Sequence, residues 1–229
     1  IADEGVPNSQ HDKEGSTLAL AYSGKSVAEQ NSVSLAWCLL MDDSYQKLRS
    51  TIYATTGEFK LFRKLFVNTV LATDIMDREL SAARKKRWQI AFDGSQDEDV
   101  RNMVNRKATI VLEHIIQASD VAHTMQLWHV YRKWNERLFM EMYQAFLDGR
   151  STIDPSHSWY KGEIGFFDFY VLPLAKKLKD CGVFGVSSDE YLDYALHNRA
   201  EWERKGQQVV AEMVEKVQTM RRRSMKPQS

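Results

Sequence analysis

Two aspartates sit where an amphipathic helix would place an apolar residue. In "LEHIIQASDVAHT", residues 112–124, Asp120 follows Leu112 and Ile116 at four-residue intervals. Side chains four apart stack on one face of a helix, so the carboxylate is predicted on the same stripe as two large aliphatic groups. "LFVNTVLATDIMDREL", residues 65–80, repeats the pattern with Phe66, Val70 and Asp74. An ionised carboxylate turned into a core is costly unless a cation meets it, and two that share a neighbourhood raise each other's pKa. Two kinds of cation are open. Each acid could pair with an internal arginine such as Arg132 or Arg137, or both could share hard or borderline divalent ions.

The elements that would carry these acids are helical nearly throughout. The chain has four prolines in 229 residues and no sustained two-residue alternation, which argues against a sheet. The periodicity predicts helices over Ser26 to Asp42, Glu58 to about Phe92, Val100 to Val121, Leu127 to Leu147, and Ser188 to about Met220. Trp134, Leu138 and Met142 form a ridge on the fourth of these, and Val210, Met213, Val214 and Val217 face inward on the last. "EIGFFDFYVLPLAKKL" begins another helix, in which Pro173 should produce a kink. The opening "IADEGVPNSQHDKEG", the segment "DGSQDED" and "DGRSTIDPSHSWYKG" are predicted as loops. With no repeat or linker, the expectation is one all-α domain over residues 1–220 and a basic tail over residues 221–229 that contains the run "RRR".

Composition narrows the partners. Lysine plus arginine and aspartate plus glutamate number 31 each, so no overall field draws the chain to nucleic acid or to an anionic membrane. Cys38 and Cys181 are too few for a disulfide framework or a cysteine metal cage. Their apolar neighbours predict buried thiols in a reducing compartment, the cytoplasm or the cytoplasmic face of a membrane. No apolar run is long enough to span a bilayer, although a tether elsewhere in the protein stays open.

The motifs "ATDI", "ASDVAHT", "YRKWNERLFMEMYQAF" and "GEIGFFDFYVLPL" occur in this order, preceded by "GVPN" and "LALAYSGKSVAEQN". As an ordered set, reaching from "GVPN" to about Trp202, they resemble the class I 3′,5′-cyclic nucleotide phosphodiesterase catalytic domain. The resemblance implies an all-helical fold and a pocket with two divalent metals, usually zinc and magnesium, with manganese as an alternative to magnesium. It also implies hydrolysis of cGMP, cAMP or both to the 5′-monophosphate. It assigns Asp120 to direct metal binding, Asp74 to the metal-bound water shell, and Glu29 to the border of the bridging hydroxide. Two metals suit this chemistry because they acidify water and neutralise the oxygens that gain charge during in-line attack.

The same resemblance places the nucleobase between Phe166 and Leu138, with Met142 on the pocket wall and His123 and Asn135 lining it. Glu163 stands where relatives carry a glutamine that reads the purine edge. An ionised carboxylate only accepts hydrogen bonds, which suits the adjacent donors of guanine, whereas a protonated one mimics glutamine. The residue types therefore lean to cGMP.

Other positions depart from the pattern. Ala2 and Asp3 stand where the family carries an Asp-His pair, and Asn31 and Ser32 stand near a further family histidine. The remaining metal histidines and the general acid would precede Ile1. His11, His114 and His129 fall at none of these positions and are expected to pack or face solvent. The chain thus relies on an upstream part of the same catalytic domain as partner and is expected to be inactive alone. A catalytically silent helical module that binds a nucleotide or a partner helix is the rival reading, and a plain helical scaffold is a third.

Overall fold

Side-chain caps at Ser16, Thr55 and Asp77 fix where three of the helices begin. The computed structural model describes residues 7–92, 100–182 and 184–224, and every element among them is helical. The predicted break at "DGSQDED" lies outside the described residues, as do Ala2 and Asp3. The chain divides into two compact units, Ile1–Asp120 and Val121–Ser229.

In the first unit α1 (Asn8–Lys13), α2 (Thr17–Tyr22) and α3 (Val27–Met41) pack successively, followed by α4 (Gln46–Ile52), α5 (Thr56–Leu71), α6 (Arg78–Phe92) and α7 (Val100–Asp120). Part of the opening segment expected as loop is therefore helix. Ser16 starts α2 by accepting a bond from the Ala19 N–H at 3.1 Å, as an N-cap serine does. Thr55 and Glu58 form a reciprocal capping box, which starts α5 two residues before the predicted Glu58. Trp37 of α3 packs among Phe59, Phe62 and Phe66 of α5, with ring centroids 5.7, 6.2 and 6.1 Å away.

The long helix predicted from Glu58 to Phe92 is two helices. Its interruption at residues 72–77 survives because side chains take over the backbone hydrogen bonds that helix continuation would have made. Asp74 Oδ1 accepts from the Met76 and Asp77 N–H groups, both at 3.1 Å. Asp77 accepts from the Glu79 and Leu80 N–H groups at 2.8 and 3.0 Å and so starts α6. Gln117 of α7 donates to the Ala72 carbonyl at 2.9 Å, and Arg84 of α6 donates to the Asp74 carbonyl at 3.1 Å.

The second unit is built around α11 (Ser188–Ser224), which packs on α8 (Trp128–Leu147), α9 (Trp159–Phe166), α10 (Leu172–Asp180) and a 3₁₀ turn, Ala122–Met125. The helix continues past the predicted end at Met220 to Ser224. Val210, Met213 and Val217 are buried as expected. Trp202, fully buried, donates its indole N–H to the Tyr160 carbonyl at 3.0 Å. Asn198 donates to the Thr124 and Gln126 carbonyls at 3.0 and 2.7 Å, tying the turn to α11.

Pro173 stands in the first turn of α10 and is preceded by a π-helical turn, Phe167–Val171. The expected disturbance takes the form of a widened turn, because proline lacks the N–H that an uninterrupted α-helix would use. The loop predicted through "DGRSTIDPSHSWYKG" ends early. Asp154 accepts from the Ser156 N–H at 2.8 Å and seeds a short 3₁₀ turn, Pro155–His157, just ahead of α9.

Candidate functional site

The carboxylates of the first unit meet around Glu29. This residue lies in the first turn of α3 and lines two neighbouring clefts. One, of about 270 Å³, is bordered by Glu29, Ser32, Phe66, Val70, Thr73 and Asp120. The other, of about 470 Å³, is bordered by Asn8, Glu29, Thr73, Asp74 and Met76. Ala28, Glu29 and Thr73 belong to both.

Asp74 and Asp120 reach these clefts by routes the helical pattern did not give. Asp74 is buried, but in the turn between α5 and α6 rather than on a helical ridge. Asp120, expected to face a core, is exposed, as are Leu112 and Ile116 of its stripe. The reason is the rotation of α7: Ile110, Glu113, His114, Gln117 and Ala118 form its buried face. Glu113 is 1 % exposed and pairs with Arg87 of α6 at 2.7 Å, so the acidic member of that face is compensated.

Asp74 is held by a hydroxyl and an amide. Ser26 Oγ donates to Asp74 Oδ2 at 2.7 Å. Asn8 Nδ2 donates to Glu29 Oε2 at 2.9 Å and lies 3.4 Å from Asp74 Oδ2. Ser26 adopts a left-handed backbone, φ 41°, immediately before α3; a side chain in this region is strained, and the bond to Asp74 compensates. The arginines weighed as alternative partners are engaged within the second unit. Arg132 pairs with Glu212, and Arg137 lies 4.7 Å from the centroid of the Trp134 ring.

Among the described residues no group of three or more His, Cys, Asp or Glu side chains could hold a metal ion. Each cleft offers two carboxylates. That donor set fits a hard ion of the magnesium or manganese type, which keeps several waters and takes one or two carboxylates. It does not fit zinc, which in protein sites takes three or four protein ligands, mostly imidazole or thiolate. His114 is buried, bonds the Ile110 carbonyl through Nδ1 at 2.7 Å and packs at a tilt against the Trp88 ring; His11 is buried and His129 exposed.

In the second unit, α9 carries Glu163 and Phe166 one turn apart, both half-buried. Tyr131 of α8 donates its hydroxyl to Glu163 Oε2 at 2.7 Å. Behind it, Asn135 Nδ2 reaches the Tyr131 oxygen at 3.4 Å, while its carbonyl accepts the Trp159 indole N–H at 3.1 Å. Burial pushes the Glu163 carboxyl up to about 7, against the lowering effect of bonds from Tyr131 and Asn135. His123, in the 3₁₀ turn, lies parallel to the Tyr131 ring at 6.3 Å, and burial lowers its pKa. Phe166 stacks on Tyr170 at 5.3 Å.

Asn135, expected to line a pocket, is fully buried with both ends engaged, so it acts on Glu163 from behind. Leu138 and Met142 are exposed, and their spacing along α8 sets them beside Tyr131 and Asn135 on the same side of the helix. Asn8, Ser26 and Tyr131 were not anticipated as site residues. Tyr131 had a signal, its four-residue spacing to Asn135 and Phe139. Ser26 had none, because its role depends on a local backbone conformation.

Cys38, predicted buried, is exposed, and Cys181 is half-buried; both are free. No helix among the described residues is long and apolar enough to cross a membrane.

A family model described as 3′5′-cyclic nucleotide phosphodiesterase matches residues 1–184. The mouse dual specificity calcium/calmodulin-dependent 3′,5′-cyclic nucleotide phosphodiesterase 1B is 26% identical over 189 residues, which cover 77% of this chain and 32% of that protein. The mouse 3′,5′-cyclic-AMP phosphodiesterase 4C is 26% identical over 207 residues, 86% of this chain and 29% of that protein. The chain therefore spans about a third of the length of these relatives. Among solved structures, the phosphodiesterase domain of the RhoPDE fusion protein from the choanoflagellate Salpingoeca rosetta superposes with a TM-score of 0.72 at 24% identity, over 94% of this chain and 66% of that one. That likeness establishes the all-helical fold.

Proposed function

The chain belongs to the 3′5′-cyclic nucleotide phosphodiesterase family, and from that premise we propose that its protein hydrolyses cGMP, cAMP or both to the 5′-monophosphate. The observation that supports this most is the shared position of Glu29, which borders one cleft with Asp120 and the adjoining one with Asp74. The family is metal-dependent. In the proposed roles Asp120 binds a divalent ion directly, Asp74 receives its water shell, and Glu29 borders the attacking hydroxide. A bound magnesium or manganese ion would supply positive charge against the phosphate and lower the pKa of water. Buried Asp74 keeps its orientation through Ser26 and the two backbone N–H groups, so it presents a fixed negative charge beside the cleft. Zinc, the other metal of the expected pair, needs donors beyond the described residues.

In the second unit, Glu163 is proposed to read the purine, Phe166 and Leu138 to flank it, Met142 to wall the pocket and His123 to line it, with buried Asn135 supporting Tyr131 and Glu163 from behind. Tyr131 and Asn135 already bond the Glu163 carboxyl, so a ligand would use the acceptor positions that these two leave. As a carboxylate, Glu163 matches the adjacent N–H donors of guanine, so cGMP is favoured. The exposed Cys38 thiol is compatible with work in the cytoplasm or on the cytoplasmic face of a membrane.

The full-length protein, assayed with cGMP and cAMP in magnesium or manganese, should lose at least about 100-fold in kcat/KM on Asp120→Ala. The 229-residue chain alone should hydrolyse neither nucleotide, because its described carboxylates supply only part of a two-metal shell. Unchanged turnover in full-length Asp120→Ala would remove the basis of the metal assignment. The silent-module reading also draws on the sparse ligand set. It requires that the full-length protein bind a cyclic nucleotide yet release no 5′-monophosphate.

A further inference from the structure

We infer that Asn8 is a positioning residue for the acid cluster, its single side-chain amide setting the spacing between Glu29 and Asp74. The inference rests on the reading that these acids serve a divalent ion. Two carboxylates brought to the rim of one cleft repel, and a carboxamide answers both because its nitrogen carries two hydrogens. Asn8 Nδ2 stands 2.9 Å from Glu29 Oε2 and 3.4 Å from Asp74 Oδ2. Its oxygen is occupied as well, accepting the Ala28 N–H in the first turn of α3 at 2.9 Å. One side chain therefore ties together the start of α1, the start of α3 and the turn between α5 and α6.

Its own placement is fixed from both sides. Pro7, the residue before α1, is extended at φ −66° and ψ 152°, which pins the backbone that delivers Asn8. Ser26 donates to the same Asp74 oxygen at 2.7 Å and so holds the acceptor that Asn8 meets.

A capping role alone would need only the Asn8 oxygen, which serine or aspartate also provides. The bridging role needs the NH₂ group. Asn8→Asp separates the two, since it keeps the size and the acceptor for Ala28 but replaces the donor with a third negative charge. At neutral pH in EDTA, Asn8→Asp should lower Tm by roughly 5 °C. Asn8→Asp combined with Asp74→Asn should recover part of that loss, because donor and acceptor are exchanged across that contact while the one to Glu29 stays acid against acid. Asn8→Asp melting like the wild type, or failing to be rescued by Asp74→Asn, would show that Asn8 is only a cap.

The second measurement is manganese binding to the full-length protein by calorimetry. Asn8→Ala should weaken it by about 10- to 100-fold, as loss of a group that orients metal-binding carboxylates does. Unchanged affinity overturns the positioning role. Absence of manganese binding in the wild type sinks the metal reading instead, and the exchange experiment then still decides whether Asn8 bridges the two acids.

Discussion

Glu163 shows what one change of side-chain type does to a site. A glutamine there would be neutral at every pH, whereas this carboxyl is raised from 4.5 to about 7 by burial. The folded state therefore holds a proton that the unfolded state releases. The associated stability is fully present below about 4.5 and is lost as pH rises through about 7. His123 has the opposite sign, since burial lowers its pKa and its contribution falls away on acidification. Comparing wild type with Glu163→Gln isolates the first effect. In urea unfolding between pH 5 and about 8, the wild type should lose more stability than the variant as pH rises. Parallel pH profiles would contradict a perturbed Glu163. In turnover by the full-length protein, the same substitution should lower the cGMP-to-cAMP ratio, and more at pH 8 than at pH 6, because a protonated carboxyl already behaves as an amide.

At the scale of elements, the useful features are the places where helices are interrupted or pressed together. The break between α5 and α6 positions Asp74, and its cost is met by Asp74, Asp77, Gln117 and Arg84 bonding the freed backbone groups. Close packing of α11 on α9 depends on Gly206. A Cβ there would come within 2.8 Å of Tyr160 Cδ2 and 2.9 Å of Trp202 Cε2. Replacing a mid-helix glycine by alanine ordinarily gains about 1 kcal/mol. Here neither ring can yield easily, because Trp202 is fully buried and bonded to the Tyr160 carbonyl. Overpacking costs about 1–3 kcal/mol. Gly206→Ala is thus expected to lower Tm by about 2–4 °C, read by differential scanning calorimetry. A variant that melts higher than wild type would show that α9 can retreat.

The whole molecule is uneven in what it buries. In the first unit the buried set is dominated by small or polar groups, among them Ala19, Ala72, Ala91, His11, Asp74, Glu113 and Gln117. The second buries Trp202, Tyr131, Phe139, Phe167, Leu178 and Met213. Burial of large apolar side chains supplies most of the favourable free energy, so the second unit should be the more stable. Hydrogen exchange is expected to be slowest in α8 and α11 and faster in α3 and α5. Urea should unfold the chain in two steps, with Trp37 and Trp88 reporting the earlier one and Trp159 and Trp202 the later. A single transition with coincident probes would mean that the two units unfold together.

The sequence alone determined that the chain is all-helical and which motifs it shares with its family. Helical periodicity and ordered motifs are local in the chain, and physics acting over a few residues is enough to express them. The starts of α3 and α8 were legible to within a residue for that reason. Asp74, Asp120 and Glu29 were named from their motifs, yet the core-facing ridge expected for Asp120 was not formed. Its direction depends on which side of α7 the rest of the unit covers, and Glu113 with its partner Arg87 takes that side. Only the tertiary structure brought Asn8 to Glu29 and Asp74, across 21 and 66 residues of sequence, and gave Glu163 its phenol partner. Such contacts arise where distant segments cross, and no spacing within one segment can encode them.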